Sequence, residues 1–259
     1  MISIFKTNES REEKKERMLP EPDLFAACPN EGNILKFYSG QFESVYVLLH
    51  PFIRATSMDK ARFCPETYPS KTEILSTCVP VSWHEVVEMT NLSNINEVDI
   101  GLRTGIGGLK AEFSNKGFAD AIADLEEKTN IVEPDSGNVS ELLQNQLFET
   151  IQELGQDWLW VGDEFGMERK LEWIDDLKSD YNFPPHGSAF TPDKSILLTT
   201  HWDSHFSFLC SSRETNEKIL KSTAFDGFFC DEKTEVYWSL RKSTELISEV
   251  NETITNRNI

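Results

Sequence analysis

Long apolar runs are missing from this chain of 259 residues. The best, VYVLL at 45–49, falls far short of the ~18 apolar residues that suggest a membrane-crossing helix. The opening MISIFKTNESREEKKER has neither the apolar core nor the small-residue cleavage site of a secretory signal. Cysteine is scarce: five residues, Cys28, Cys64, Cys78, Cys210 and Cys230, odd in number, widely spaced and without a C-x-x-C pair. That pattern excludes a disulfide framework and reads as reduced thiols, so a cytoplasmic location is expected. The sequons at Asn91, Asn138 and Asn251 then carry no glycan. Basic residues are also in short supply, 25 Lys+Arg against 44 Asp+Glu, for a net charge of −19. Phosphate backbones reward Lys and Arg, so nucleic acid is disfavoured as a partner, as is an anionic membrane, whereas a basic protein is favoured.

What is present reads as a globular protein long enough to bury a core without staples. Residues 9–17, ESREEKKER, are almost wholly charged, so 1–20 reads as a charged, flexible arm closed by the prolines of LPEPD. Residues 21–259 read as a single compact α+β domain, because helical and strand signals interleave over short distances. In the front part, 43–49 is the clearest strand. Ser82-Trp-His-Glu85 is a capping box that starts a helix. Phe118, Ile122 and Leu125 mark a helix over 114–128, and Leu143, Leu147, Ile151 and Leu154 mark another, ended by Gly155. Met167, Leu171, Ile174, Leu177 and Tyr181 share a helical face that must end before Pro184-Pro185. After Pro185 the pattern turns to strands at 195–201, 205–210, 227–230 and 235–240. Between the first and last pairs lies a helix over 212–222, capped through Ser211-x-x-Glu214, and DEKT reads as a hairpin turn. The expected architecture is a helix-rich N-terminal half packed with a mainly antiparallel sheet formed largely by the C-terminal half.

Chemistry concentrates at His201-Trp-Asp-Ser-His205. On a continuous strand His201, Asp203 and His205 share a face, but the two histidines then stand roughly 13 Å apart, too far to share a metal. A hairpin with a three-residue loop would set His201 opposite His205, Cβ atoms about 5 Å apart, where a divalent metal or a His–Asp acid–base pair could form. A two-residue loop would send them to opposite faces. The bland alternative makes Asp203 a turn former. His84-Glu85-Val-Val-Glu88 begins like a zinc helix, yet Glu88 stands where the second histidine belongs and Glu85 is already occupied as a cap. His84 and Glu88 are therefore weaker metal candidates. GLRTGIGGLK at 101–110 lacks both the third glycine of a dinucleotide loop and a G-K-[ST] sequence, so close helix packing at Gly105, Gly107 and Gly108 is the plainer reading. Arg103 and Lys110 could still serve an anion. His186-Gly187-Ser188 is a turn rather than a nucleophile elbow, and Cys210 and Cys230 sit in apolar runs that suit inert thiols. The pairs Asp163-Glu164, Asp175-Asp176 and Asp231-Glu232 read as solvated surface. Trp158, Trp160, Trp202 and Trp238 read as core or cleft lining.

Four stretches, VSWHEVVEM (81–89), GLRTGIGGLKAEF (101–113), LTTHWDSHFSFLC (198–210) and FDGFFCDEKTEVYWSL (225–240), together resemble an uncharacterised bacterial, Bacillus-type family classed as a domain of unknown function. The resemblance implies a stand-alone bacterial cytoplasmic protein and transfers no activity, cofactor or catalytic residue. Three functions stay open. An acidic interaction module, immunity-like or regulatory, would bind a basic protein. A metal-assisted hydrolase would centre on His201, Asp203 and His205. A small-molecule binder would use an aromatic cleft. The hydrolase requires near-stoichiometric divalent metal in the freshly purified protein, lost in His201→Ala; elemental mass spectrometry reads it directly, and a metal-free protein eliminates that site.

Overall fold

The segment SVYVLL is apolar on both of its alternating sets of side chains, a pattern stable in a strand only when both faces are covered. The computed structural model, which describes residues 27–163, 169–179, 183, 187–221, 223 and 225–236, provides both covers. In chain order the elements are β1 (Gly32–Asn33), α1 (Ile34–Phe37), β2 (Ser44–Leu49), β3 (Phe52–Ala55), α2 (Lys71–Thr77), β4 (Cys78–Val81), α3 (Trp83–Met89), α4 (Ile95–Gly105), α5 (Lys116–Lys128) and β5 (Ile131–Val132). They continue with α6 (Glu141–Glu153), β6 (Trp158–Asp163), β7 (Arg169–Trp173), α7 (Ile174–Lys178), β8 (Gly187–Phe190), β9 (Leu197–Thr200), β10 (Phe206–Ser211), α8 (Arg213–Lys221), β11 (Gly227–Phe229) and β12 (Glu235–Val236). Seven strands form one antiparallel sheet in the order β11-β2-β10-β9-β8-β6-β7; β4-β3-β5 and β1-β12 are smaller sheets.

The main sheet is covered on both sides. Val45, Val47 and Leu49 of β2, with Phe206, Phe208 and Cys210 of β10, face a cluster that includes Trp83 of α3, Val98 and Leu102 of α4, and Ile122 and Leu125 of α5. Tyr46, Leu48 and Leu209 point the other way, onto Leu143, Leu147 and Ile151 of α6, Ile174 and Leu177 of α7, and Ile219 of α8. The fold is α+β with antiparallel sheets, and six of the seven main strands come from the C-terminal half. The halves nonetheless interlock, because β2 lies between β11 and β10.

Several local expectations match their elements. Ser82 and Glu85 form the capping box at α3, and the helices marked by Ile122 and Leu147 span Lys116–Lys128 and Glu141–Glu153. Others are corrected. The stripe from Leu171 to Leu177 is not one helix: Arg169–Trp173 pairs with β6, Trp158 against Trp173 with ring centroids 5.4 Å apart, and only Ile174–Lys178 is helical. Cross-strand pairing there overrides the helical spacing, while Met167 and Tyr181 lie outside the described residues. DEKT does not close a hairpin, since β11 pairs with β2 and β12 with β1. The cap of α8 is Ser212, whose Oγ accepts from the Thr215 amide at 3.1 Å; Ser211 belongs to β10. Trp158 and Trp202 are 41% and 53% exposed, and among the described residues the fully buried indole is Trp83, donating to the His50 carbonyl at 2.7 Å. The arm at 1–20, Trp238 and strand residues 237–240 lie outside the described residues.

The 101–108 segment is helical to Gly105 and then capped. The Gly107 amide donates to the Thr104 carbonyl at 3.1 Å and the Gly108 amide to that of Arg103 at 2.8 Å, with Gly107 at φ +71°. This double bond pattern ends helices on a left-handed residue, which glycine adopts without strain. The close helix contact is made by Gly101 instead: a Cβ there would lie 2.7 Å from Ile122 Cδ1 and 2.9 Å from the Phe118 carbonyl oxygen. Gly101→Ala is accordingly expected to lower unfolding stability by about 1–3 kcal/mol, overpacking outweighing the gain in helix propensity, as urea denaturation would show.

Candidate functional site

The loop between β9 and β10 has the pairing Thr200↔Ser207, and that register carried outward sets His201 against Phe206, not against His205. The chain turns with the Ser204 amide on the His201 carbonyl at 3.0 Å. Neither the continuous strand nor the three-residue loop of the sequence reading is present. His201 Nδ1 bonds Asp203 Oδ1, and its Nε2 faces the Asn30 side-chain amide at 3.2 Å. An aspartate holding one imidazole nitrogen is how a general base is oriented. Asn30 stands where a nucleophile would be needed.

Asp203 is fixed from behind. Its Oδ2 lies 3.4 Å from Arg103 Nη2, and Arg103 Nη1 lies 3.9 Å from Asp99 Oδ2, one helical turn away on α4. All three side chains are buried, at 3% exposure or less. Gly108 packs beside it, where a Cβ would sit 3.4 Å from Asp203 Cβ, at van der Waals distance. Arg103 is thus an internal counter-ion rather than an anion-binding group. Burial raises the Asp203 pKa, but the hydrogen bond from His201 and the charge of Arg103 outweigh it and hold the carboxyl below its ordinary value.

His205 follows a different path. It is 1% exposed, its Nδ1 has no hydrogen-bond partner, and it lines a cavity of about 250 Å³ together with Phe63, Tyr68, Glu126, Glu133 and Asp135. Burial, then the nearby Arg103 charge, drives its pKa down to about 3, so the imidazole is neutral. His50, whose amide bonds the His205 carbonyl at 3.0 Å, is likewise lowered to about 3 by burial and by His205. Across the cavity Glu133 follows β5 directly. Its amide donates to Glu126 Oε1 at 2.6 Å, and burial plus the charges of Glu126 and Asp135 raise its carboxyl to about 7. Phe63 and Tyr68 meet edge to face, centroids 5.5 Å apart, to form the aromatic wall. Lys60 ties down one side, its ammonium held by the carbonyls of Glu126 and Thr129. The Gly137 amide, on the Ser204 carbonyl at 2.8 Å, joins the acidic loop to the histidine hairpin.

The structure therefore brings His201 and Asp203 together, sends His205 into an acidic cleft, and leaves the weaker candidates on the surface of α3: His84 is exposed and pairs with Asp226 at 3.2 Å, and Glu88 is exposed. Among the described residues no group of three His, Cys, Asp or Glu side chains is placed to hold a metal ion. None of the five cysteines is in a disulfide; burial pushes Cys210 well up and, with Asp231, pushes Cys230 up to about 12, the reverse of nucleophile activation. Glu126, Glu133, Asp135 and Tyr68 escaped the sequence reading because they come from three separate segments. The one local signal was the turn-forming Pro-Asp-Ser-Gly after Glu133. No helix among the described residues is long and apolar enough to cross a membrane.

A family model described as "Protein of unknown function (DUF2711)" matches residues 30–240. The curated "Uncharacterized protein YwbB" of Bacillus subtilis (strain 168) is 20% identical over 218 residues, 81% of this chain and 96% of the relative. No solved structure matches with comparable significance.

Two measurements check these electrostatics. Between about pH 3 and 6.5 the unfolded chain binds protons that neutral His50 and His205 refuse, so their contribution to stability falls as acid is added. Glu133 has the opposite sign: its folded pKa, about 7 against 4.5, favours folding at low pH, and that contribution is lost as pH rises through 7. Glu133→Gln is expected to stabilise by about 1–2 kcal/mol at pH 8 and hardly at all at pH 5, read from urea curves. Separately, Arg103→Met leaves Asp99 and Asp203 buried without their cation, and a loss of about 3–5 kcal/mol is expected in the same assay.

Proposed function

For a chain that belongs to the family of unknown function DUF2711, no activity transfers from relatives, and we propose from the site itself that it is a binding protein for a basic partner. The observation that carries this reading is the cleft lining: Glu126, Glu133 and Asp135 all line it, with no Lys or Arg among its described lining residues. The net charge of −19 adds a long-range field that would draw a cationic partner toward that opening. The His201–Asp203 pair, locked to Arg103 and facing Asn30, belongs to the scaffold beneath the cleft. Five cysteines without a disulfide agree with a cytoplasmic setting.

A fluorescently labelled decalysine peptide tests the reading against the full chain by anisotropy. Binding is expected at about 50 mM salt, weakened at least roughly tenfold at about 300 mM. Glu133→Gln/Asp135→Asn is expected to lose roughly tenfold in affinity at low salt. Equal affinity for the native chain and the double variant, or binding indifferent to salt, would overturn it.

A further inference from the structure

Resting on that reading, we infer that the cleft lined by Glu126, Glu133, Asp135, Tyr68 and His205 is a receptor for a single alkylammonium group, a cation that carries N–H donors on a short apolar stem. The group could come from a lysine side chain of a protein partner or from a free amine. The chemistry recognised is the same.

Three features of the cavity select this class. The first is the unpartnered imidazole. His205 is almost wholly buried, lines the cavity, and has an Nδ1 with no hydrogen-bond partner. A neutral imidazole has one nitrogen without a proton, an acceptor; we assign that role to Nδ1, which nothing among the described residues partners although buried polar atoms are nearly always paired. A ligand that donates N–H bonds would complete it, while a cation without N–H groups would not. Second, the carboxylates ring the cavity rather than focus on one point. Glu126 accepts from the Glu133 amide, Asp135 accepts from the Asn138 side chain, and among the described residues no three such groups are placed to hold a metal ion. A spread of negative charge suits an ammonium with three divergent protons better than a compact metal ion with short bonds. Third, size and wall chemistry limit the stem. About 250 Å³ is below the usual ~300–1,000 Å³ of ligand sites, so one side chain or a small molecule fills it. The Phe63–Tyr68 pair supplies apolar surface and negatively polarised ring faces for the stem and cation.

The cavity has the groups to adjust its own charge. Around Glu133 stand Glu126 from α5, Asp135 from its own loop, Tyr68 from the aromatic wall and neutral His205 from the hairpin. Arg103 lies behind His205 between Asp99 and Asp203, and Lys60 is held by backbone carbonyls on α5. Burial and the two neighbouring carboxylates keep Glu133 partly protonated near neutrality, and an entering cation reverses that balance. Binding is then coupled to release of a proton from Glu133.

The test is an NMR titration of the full chain at pH 7 with n-butylammonium, which is the lysine side chain in isolation, following the His205 ring resonances. Saturable shifts are expected with a Kd of about 1 mM, in keeping with a ligand of so few atoms. Tetramethylammonium, equally charged but without N–H, is expected to bind at least roughly tenfold more weakly, because it cannot satisfy the imidazole acceptor. Calorimetry in phosphate and in Tris would count a fractional proton released, absent in Glu133→Gln. Because His205→Phe could fail to fold, Asp135→Asn serves as a second variant, with a several-fold loss of amine affinity expected. Equal affinity for the two cations, or no shift at His205 on saturation, overturns the inference. Decalysine separates the sources. If it competes with n-butylammonium at His205, the group is presented by a protein. If the amine binds and decalysine does not, the inference stands for a free amine while the protein-partner reading falls. If decalysine binds elsewhere and the amine does not bind, the inference falls and that reading remains.

Discussion

A guanidinium buried between two carboxylates is the constraint from which the rest of the site follows. Arg103 cannot leave its charge uncompensated in the interior, so Asp99 and Asp203 must both be present, one on its own helix and one on the β9–β10 loop. That requirement docks α4 against the hairpin and pins Asp203, which in turn fixes the His201 ring. It also places a fixed positive charge beside His205, which adds to burial in keeping that imidazole neutral. A single residue on α4 thereby helps orient one histidine and adds to the burial that keeps the other neutral.

The two histidines, four residues apart, illustrate how little sequence proximity says about shared function. The even register of the β9–β10 pairing sends them to different neighbourhoods. One is engaged by Asp203 and Asn30; the other meets carboxylates from α5 and from the loop after β5. The acidic composition, diffuse in the sequence, acquires a location only when the three-stranded sheet presents its last strand to the hairpin.

The fold was legible where local chemistry and tertiary packing agree. VYVLL announced a strand, Ser82-Glu85 announced α3, and the leucine stripe at 143–151 announced α6. It was illegible at Arg169–Lys178, where the spacing of Leu171, Ile174 and Leu177 suits a helix but pairing with Trp158 and its strand decides otherwise for the first five residues. The glycines of 101–108 were read as a close helix contact at Gly105, Gly107 and Gly108, yet Gly105 and Gly107 face open space and the position in contact is Gly101, because which helix lies opposite cannot be read from one helix alone. The candidate site was half legible. His201, Asp203 and His205 were singled out together, but Glu126, Glu133, Asp135 and Tyr68 come from segments that meet only in three dimensions.

The bond from the Gly137 amide to the Ser204 carbonyl has a mechanical meaning. It fastens the loop carrying Glu133 and Asp135 to the hairpin carrying His205, so the carboxylates and the imidazole are tied through main chain. The third wall is built otherwise. Phe63 and Tyr68 hold each other by an edge-to-face contact, an interaction with a shallow energy surface that lets rings slide without rupture. One side of the cleft is thus held by a main-chain hydrogen bond and another by ring packing.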